Sequence, residues 1–340
     1  MTDLVRATVR DRLGHCELNR PHKLNALNFE MLQALDEVLH RWADDNSVEM
    51  VVLTGAGERG FCAGGDIADF HRAVTTGHHS DFMELLALEF KVDLLLSKYP
   101  KPLVTVAHGI TMGGGIGLAS HAPVRLVTAT ARMGMPETKI GYTPDVGGSH
   151  LLAMAPGHMG EYFAMTANSF TGADAPSLGF ADAVVSESFA ANALDELSDL
   201  VGLGSAEITA AVEVLHGAPE SHRMATESGW IDHAFSAESP VEVVDRLRDM
   251  AHPNAAKALA MIEANSPTSV SSAFYSVRAA REEANLQLTL DRELRLAGYL
   301  MHLPDLAEGI RAQVIDKDRN PAWTPSSLQE VDLESLMQPM

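Results

Sequence analysis

Cysteine is nearly absent from this 340-residue sequence: only Cys16 and Cys62 occur, and no disulfide framework can be drawn from them. A chain this long buries enough surface to fold without cross-links, and free thiols fit a reducing, cytoplasmic setting. Basic residues are also scarce, 25 Lys and Arg against 46 Asp and Glu, giving a formal net charge of −21. That balance repels a phosphate backbone and argues against nucleic-acid binding. No apolar run reaches the roughly 18 residues of a membrane span. Residues Met1–Arg6 lack a basic segment followed by an apolar one, so neither a membrane nor a secretory signal is expected. There are 15 histidines, yet no His-Glu-x-x-His and no Cys/His cluster at zinc spacing, so no metal is expected. His78-His79 lies in a polar stretch and reads as a solvated loop.

With 46% hydrophobic and 21% charged residues, the chain has the composition of a soluble globular protein. Its first half alternates strand-like runs (Val5–Arg10, His15–Leu18, Met50–Thr54, Leu103–Ala107 and Val124–Val127) with helical ones. Asn28 fits an N-cap ahead of Met31, Leu35, Val38 and Trp42 on one helical face. A second helical run over Asp81–Ser97 carries Met83, Leu86, Phe90 and Leu94, while Ala68–Ser80 shows no clear pattern. Such alternation predicts an α/β fold with parallel crossovers. From about Asn192 helical periodicity takes over, broken at Gly217-Ala218-Pro219, Ser239-Pro240, His252-Pro253, Ser266-Pro267 and Leu303-Pro304. Residues 1–191 therefore read as an α/β core, 192–317 as a helical region and 318–340 as an extended tail.

Two glycine sites stand out. Phe61-Cys62-Ala63-Gly64-Gly65-Asp66-Ile67 follows an apolar strand, and its paired glycines bring the backbone close to something, with Asp66 available as a helix cap. A tight strand-to-helix turn explains it equally well. In the second, the strand at Val104 leads to Gly113-Gly114-Gly115-Ile116-Gly117, a glycine run opening a helix. Each glycine there costs about 1 kcal/mol relative to Ala. Helix N-termini suit an anion, whether a phosphate or a developing oxyanion. The spacing is not G-x-G-x-x-G, no Lys-Ser or Lys-Thr follows, and G-x-S-x-G is missing. Dinucleotide, phosphate-loop and serine-nucleophile readings are disfavoured.

Together these sites resemble the crotonase (enoyl-CoA hydratase/isomerase) superfamily. The similarity runs from Leu18-Asn19-Arg20-Pro21-His22-Lys23-Leu24-Asn25-Ala26-Leu27 through both glycine sites to Met135-Pro136-Glu137 and Gly141-Tyr142-Thr143-Pro144-Asp145-Val146-Gly147-Gly148. It implies a spiral of ββα turns, an acyl-CoA ligand, and a thioester carbonyl held by the N–H groups of Gly65 and Gly114. It also implies that the Ala63, Gly64, Gly65, Asp66, Ile67 segment lines the adenine pocket, and that trimers or hexamers form. Lys23 and His22 are candidates for the CoA phosphates, an exposed loop cation being the plain alternative. Asn265-Ser266-Pro267-Thr268-Ser269, Glu308-Gly309-Ile310-Arg311-Ala312 and Ile315–Trp323 are similar to the 3-hydroxyisobutyryl-CoA hydrolase branch.

Carboxylates separate the chemistries within that superfamily. Hydratases of the family carry one Glu at the position of Gly117 and another at that of Glu137; here residue 117 is glycine, and half the acid–base pair is missing. Glu137 and Asp145 remain. The resemblance thus implies hydrolysis of a short β-hydroxyacyl-CoA, with Glu137 as nucleophile or general base and Asp145 orienting water or substrate. Read alone, Asp145 also fits an N-cap and Glu137 a solvated loop. No cofactor beyond the CoA of the substrate is expected. The rival readings are a hydratase or isomerase with unusual acids, and a silent acyl-CoA-binding protein. Cys62 is assigned no chemistry, and Asp316–Arg319 reads as solvated surface.

Overall fold

The apolar runs of the first half line up as a sheet in the computed structural model, which describes residues 3–216 and 223–340. The expected break at Gly217-Ala218-Pro219 lies outside the described residues. The strands are β1 (Val5–Arg10), β2 (Leu13–Leu18), β3 (Met50–Gly55), β4 (Leu103–Ala107), β5 (Ile110–Met112), β6 (Val124–Thr128), β7 (Arg132–Gly134), β8 (Ser169–Thr171) and β9 (Ala183–Val185). Six form one sheet in the order β1-β2-β3-β4-β6-β9, and β5-β7-β8 form a second. β1 and β2 are an antiparallel hairpin whose turn residues, Asp11 and Arg12, take φ of 50° and 68°, the left-handed pair that matches strand twist. All later neighbours in the large sheet are parallel. β4 is buried along its length, as its unbroken apolar run requires. The α/β layout with parallel crossovers is present as expected.

Helices in chain order are α1 (Phe29–Asp44), α2 (Ile67–Thr75), α3 (His79–Ser97), α4 (Gly114–Ser120), α5 (Gly148–Met154), α6 (Met159–Thr166), α7 (Glu187–Ala191), α8 (Ala193–Ser198) and α9 (Ser205–His216). α10 (Arg223–Phe235), α11 (Pro240–Asp249), α12 (Pro253–Ala264), α13 (Pro267–Glu283), α14 (Leu286–Leu300), α15 (Pro304–Ile310) and α16 (Leu333–Met337) follow. Asn28 caps α1 by accepting the Met31 N–H at 3.0 Å. Proline at the first turn starts α11, α12, α13 and α15, where its missing N–H costs nothing. Ile67–Thr75 is a helix, although its sequence shows no pattern. His79 opens α3 and packs edge-on against His302 rather than lying in a solvated loop. The tail is irregular only to about residue 327, after which a short turn and α16 follow, α16 capped by Asp332.

Compactness cuts the chain into two interleaved units, where the sequence texture set 1–191, 192–317 and 318–340 apart. One unit comprises Met1–Gly65, Leu88–Met133 and Phe170–Ser221; the other comprises Asp66–Ala87, Gly134–Ser169 and His222–Met340. In the first, one sheet face (Leu13, Val52, Val104, Leu126, Val185) packs with Phe189, Leu197 and Ile208 of α7–α9. Gly14, on the alternate face, meets Trp42 of α1. In the second, α13 packs against α5, α6 and α14. There Glu161, fully buried, is held by Arg281 at 2.6 Å. Among the described residues no helix is long and apolar enough to cross a membrane.

Candidate active site

In the first unit the chain leaving β3 runs beside β5, bridging Gly60 to Gly109 and Cys62 to Thr111. That brings residues 60–65 against the start of α4. Gly64 has φ of 91°, and a Cβ there would stand 2.9 Å from the Met112 carbonyl and 3.1 Å from the Gly114 nitrogen, so only glycine fits. The two glycine sites of the sequence thus meet. Among the described residues, no backbone or side-chain acceptor takes the N–H of Gly65 or of Gly114. Two open donors on neighbouring segments, one at a helix N-terminus, are of the kind that can receive an oxyanion.

Asn25 secures this glycine loop. It is wholly buried, and its side-chain NH2 donates to the carbonyls of Ala56 (3.0 Å), Gly60 (3.1 Å) and Phe61 (3.0 Å). The Cys62 thiol donates to the Asn25 carbonyl at 3.2 Å and accepts the Gly64 N–H at 3.4 Å. Burial pushes that thiol up to about 12, so Cys62 is packing rather than a nucleophile. Ala63 N–H donates to Leu24 and Leu27 N–H to Gly64, which fixes Lys23 one residue from the glycine loop; Lys23 itself is exposed. Asp66 and Ile67 begin α2. Asp66 holds the N-cap position without a side-chain cap bond, contrary to expectation.

Sequence reasoning missed Glu89. The buried face of α3 is Phe82, Leu86, Glu89, Phe90 and Asp93, whereas the expected stripe included Met83 and Leu94, which are only half-buried. Glu89 Oε1 lies 2.0 Å from where a Gly114 Cβ would be, and it has no hydrogen-bond partner. Burial pushes its carboxyl up to about 8, so it is protonated at neutral pH. Acids at 89 and 93 in line with Phe82, Leu86 and Phe90 were the available signal.

The second unit carries both expected carboxylates. Glu137 opens a 3-10 turn, Glu137–Ile140, and is 6% exposed; Asp145, eight residues on, is also 6% exposed. Neither is a solvated loop residue. Nor is Asp145 an N-cap, since that position before α5 belongs to Gly147. The C-terminal motifs converge on the Glu137 turn. Asn265 donates to Thr138 Oγ1 (3.3 Å) and the Met165 carbonyl (3.0 Å), and Ser266 N–H donates to the Thr138 carbonyl. Ser266 Oγ donates to Asp305, which also accepts the Thr324 N–H at 2.7 Å. A Cβ on Gly309 would stand 2.3 Å from the Ile140 carbonyl carbon, so α15 lies directly on the turn. Asp316–Arg319 is exposed as expected, with Arg311 pairing Asp316 and Asp318.

Comparison with known proteins follows the same lines. The enoyl-CoA hydratase/isomerase family model matches residues 13–339. A mitochondrial 3-hydroxyisobutyryl-CoA hydrolase of Gallus gallus is 36% identical over 94% of this chain and 84% of its own length. The Arabidopsis thaliana 3-hydroxyisobutyryl-CoA hydrolase 1 is 33% identical over 92% and 85%. A solved structure described as a carnitinyl-CoA dehydratase from Mycobacterium thermoresistibile superposes with a TM-score of 0.91 at 36% identity, over 99% of this chain and 96% of that one. The fold is a crotonase fold, and the chain belongs to the enoyl-CoA hydratase/isomerase family.

Proposed function

We propose that this chain hydrolyses a short β-hydroxyacyl-CoA thioester to the free acid and CoA. 3-Hydroxyisobutyryl-CoA, from valine breakdown, is the favoured substrate and 3-hydroxypropionyl-CoA the second. The observation carrying the reading is the pair of untaken N–H groups at Gly65 and Gly114 in a chain with glycine, not glutamate, at position 117. The N–H pair polarises the thioester carbonyl, and one such donor is worth about 3 kcal/mol in the transition state. Glu137 attacks the carbonyl carbon to give a mixed anhydride that water then cleaves, or takes a proton from a water that attacks directly. Asp145 orients that water or the 3-hydroxyl, and a proton passes to the departing sulfur as the C–S bond breaks. Glu89, neutral at pH 7, is a hydrogen-bond donor beside Gly114.

The hydrolase names of the chicken and Arabidopsis relatives support this reading. In it Lys23, Ala63, Gly64, Gly65, Asp66 and Ile67 bind CoA, no other cofactor takes part, and the chain assembles as a trimer or hexamer. The chicken relative's name includes "mitochondrial"; for this chain we favour the cytoplasm, on its buried, reduced thiols. The test is thiol release from a panel of acyl-CoAs by the wild type, Glu137→Gln and Asp145→Asn. Release from β-hydroxyacyl-CoAs, lost in both variants, is the expected result. Change of enoyl absorbance without thiol would establish the hydratase or isomerase reading instead. Binding without turnover would establish the silent one.

A further inference from the structure

Asp145 heads a tight turn closed by the Gly148 N–H on its carbonyl at 2.6 Å. Both central residues have positive φ, Val146 at 54° and Gly147 at 71°. Glycine adopts this backbone freely; a β-branched residue does not, and such strain persists only where the surroundings over-determine it. The restraint comes from α14. Glu293 accepts the Gly147 N–H at 2.7 Å and the Ser149 N–H at 3.1 Å, one on each carboxyl oxygen, and takes the Ser149 hydroxyl as well.

Glu293 is wholly buried, and burial pushes its carboxyl up to about 7 against the opposing pull of Ser149, the two N–H groups and Arg292. Arg292 is itself paired with Glu283 of α13. The other titratable side chain near this end of α5, His150, is held low by burial. Glu293 is therefore a group that titrates in the working range and grips the residues following Asp145.

We propose that Glu293 is a positioning residue for Asp145: ionised, its two oxygens clamp the Val146–Ser149 turn and fix where Asp145 presents its carboxylate. Protonation turns one acceptor oxygen into an O–H group, and the clamp loosens as pH falls through neutrality. The proposal rests on the reading of Asp145 as a catalytic group.

The test measures kcat and KM for thiol release across the neutral range in the wild type, Asp145→Asn, Glu293→Gln and the double variant Glu293→Gln/Val146→Gly. Misplacement of a catalytic group by an ångström costs on the order of 100-fold, so Glu293→Gln should lower kcat by about that factor at unchanged KM. The wild-type kcat should rise through about pH 7, and Glu293→Gln should abolish that rise. Adding Val146→Gly should restore much of kcat, because glycine holds the turn unaided. A purely structural Glu293 would lower melting temperature without flattening the pH profile, and Val146→Gly would not rescue it; that result overturns the proposal. Should Glu293→Gln not fold, Ser149→Ala takes its place. It removes one bond that lowers the Glu293 carboxyl, so the rise in kcat must move to higher pH, and an unmoved profile overturns the proposal. An active Asp145→Asn would instead remove the reading on which the proposal rests. An inactive Asp145→Asn beside a wild-type Glu293→Gln would refute the positioning role alone.

Discussion

Replacing Glu89 by Gln should stabilise the folded chain at neutral pH. Burial raises this carboxyl from its ordinary 4.5 to about 8. An acid with a raised folded value holds its proton more tightly folded than unfolded, so its contribution is most favourable below pH 4.5 and declines as pH climbs to about 8. At about 1.36 kcal/mol per pH decade, the decline amounts to roughly 3 kcal/mol by pH 7 and approaches 5 above pH 8. Gln does not titrate, but its amide brings two buried N–H groups at a cost of about 2 kcal/mol. The two stability curves should therefore cross near pH 6. By about pH 8 the variant should be ahead by roughly 2 kcal/mol. An unfolding entropy of about 2.1 cal/mol/K per residue over 340 residues makes this a gain of about 3 °C in melting temperature. Calorimetry of both proteins across pH checks the reasoning. Parallel stability curves would show that Glu89 is not titrating in a desolvated site.

Gly309→Ala should cost about 1–3 kcal/mol, because the added methyl meets backbone at Ile140 and neither side can yield. Since Glu137 opens that same turn, kcat should fall with it, whereas Gly298→Ala, whose Cβ meets only the flexible Met83 tip at 3.6 Å, should gain about 1 kcal/mol as an ordinary helix substitution. Equal effects of the two in urea unfolding and turnover would refute the account of α15 as the support of Glu137. Asn25→Ala strips three buried carbonyls of their donor and should cost roughly 3–5 kcal/mol. A loss below about 1 kcal/mol in urea titration would mean that water replaces the side chain at the glycine loop.

Legibility in the sequence followed the range of the interaction involved. β1 and β4 were readable to the residue because an apolar run between turns is local information, and so was the Asn28 cap. β5, β7, β8 and β9 were not, since each has three residues and shows no period. The glycine run at the start of α4 was legible as a candidate site because four glycines in a helix start are unfavourable without a ligand. Glu89 was passed over because a charge on an amphipathic helix normally faces water. Its burial depends on where Gly114 falls, which α3 alone does not reveal. Glu293 had no local sign at all, its partners Gly147 and Ser149 being 146 and 144 residues away.

Identity alone does not choose between chemistries here: the chain is 36% identical both to a relative named as a hydrolase and to one described as a dehydratase. Within this chain, the acids that can stand beside Gly114 bear on the choice. Gly114 and Gly117, three residues apart on α4, share a helix face, and α4 is buried throughout. Glu89 reaches that face from α3 and is desolvated there enough to keep its proton. A second carboxyl from position 117 would face a group already starved of water, and two such acids cannot both ionise. A neutral acid reaching in from α3, with the face of α4 left to glycine, is incompatible with a water gripped between two carboxylates. That arrangement bears against hydration and supports the proposed hydrolysis, for which the chain retains the buried carboxyl groups of Glu137 and Asp145.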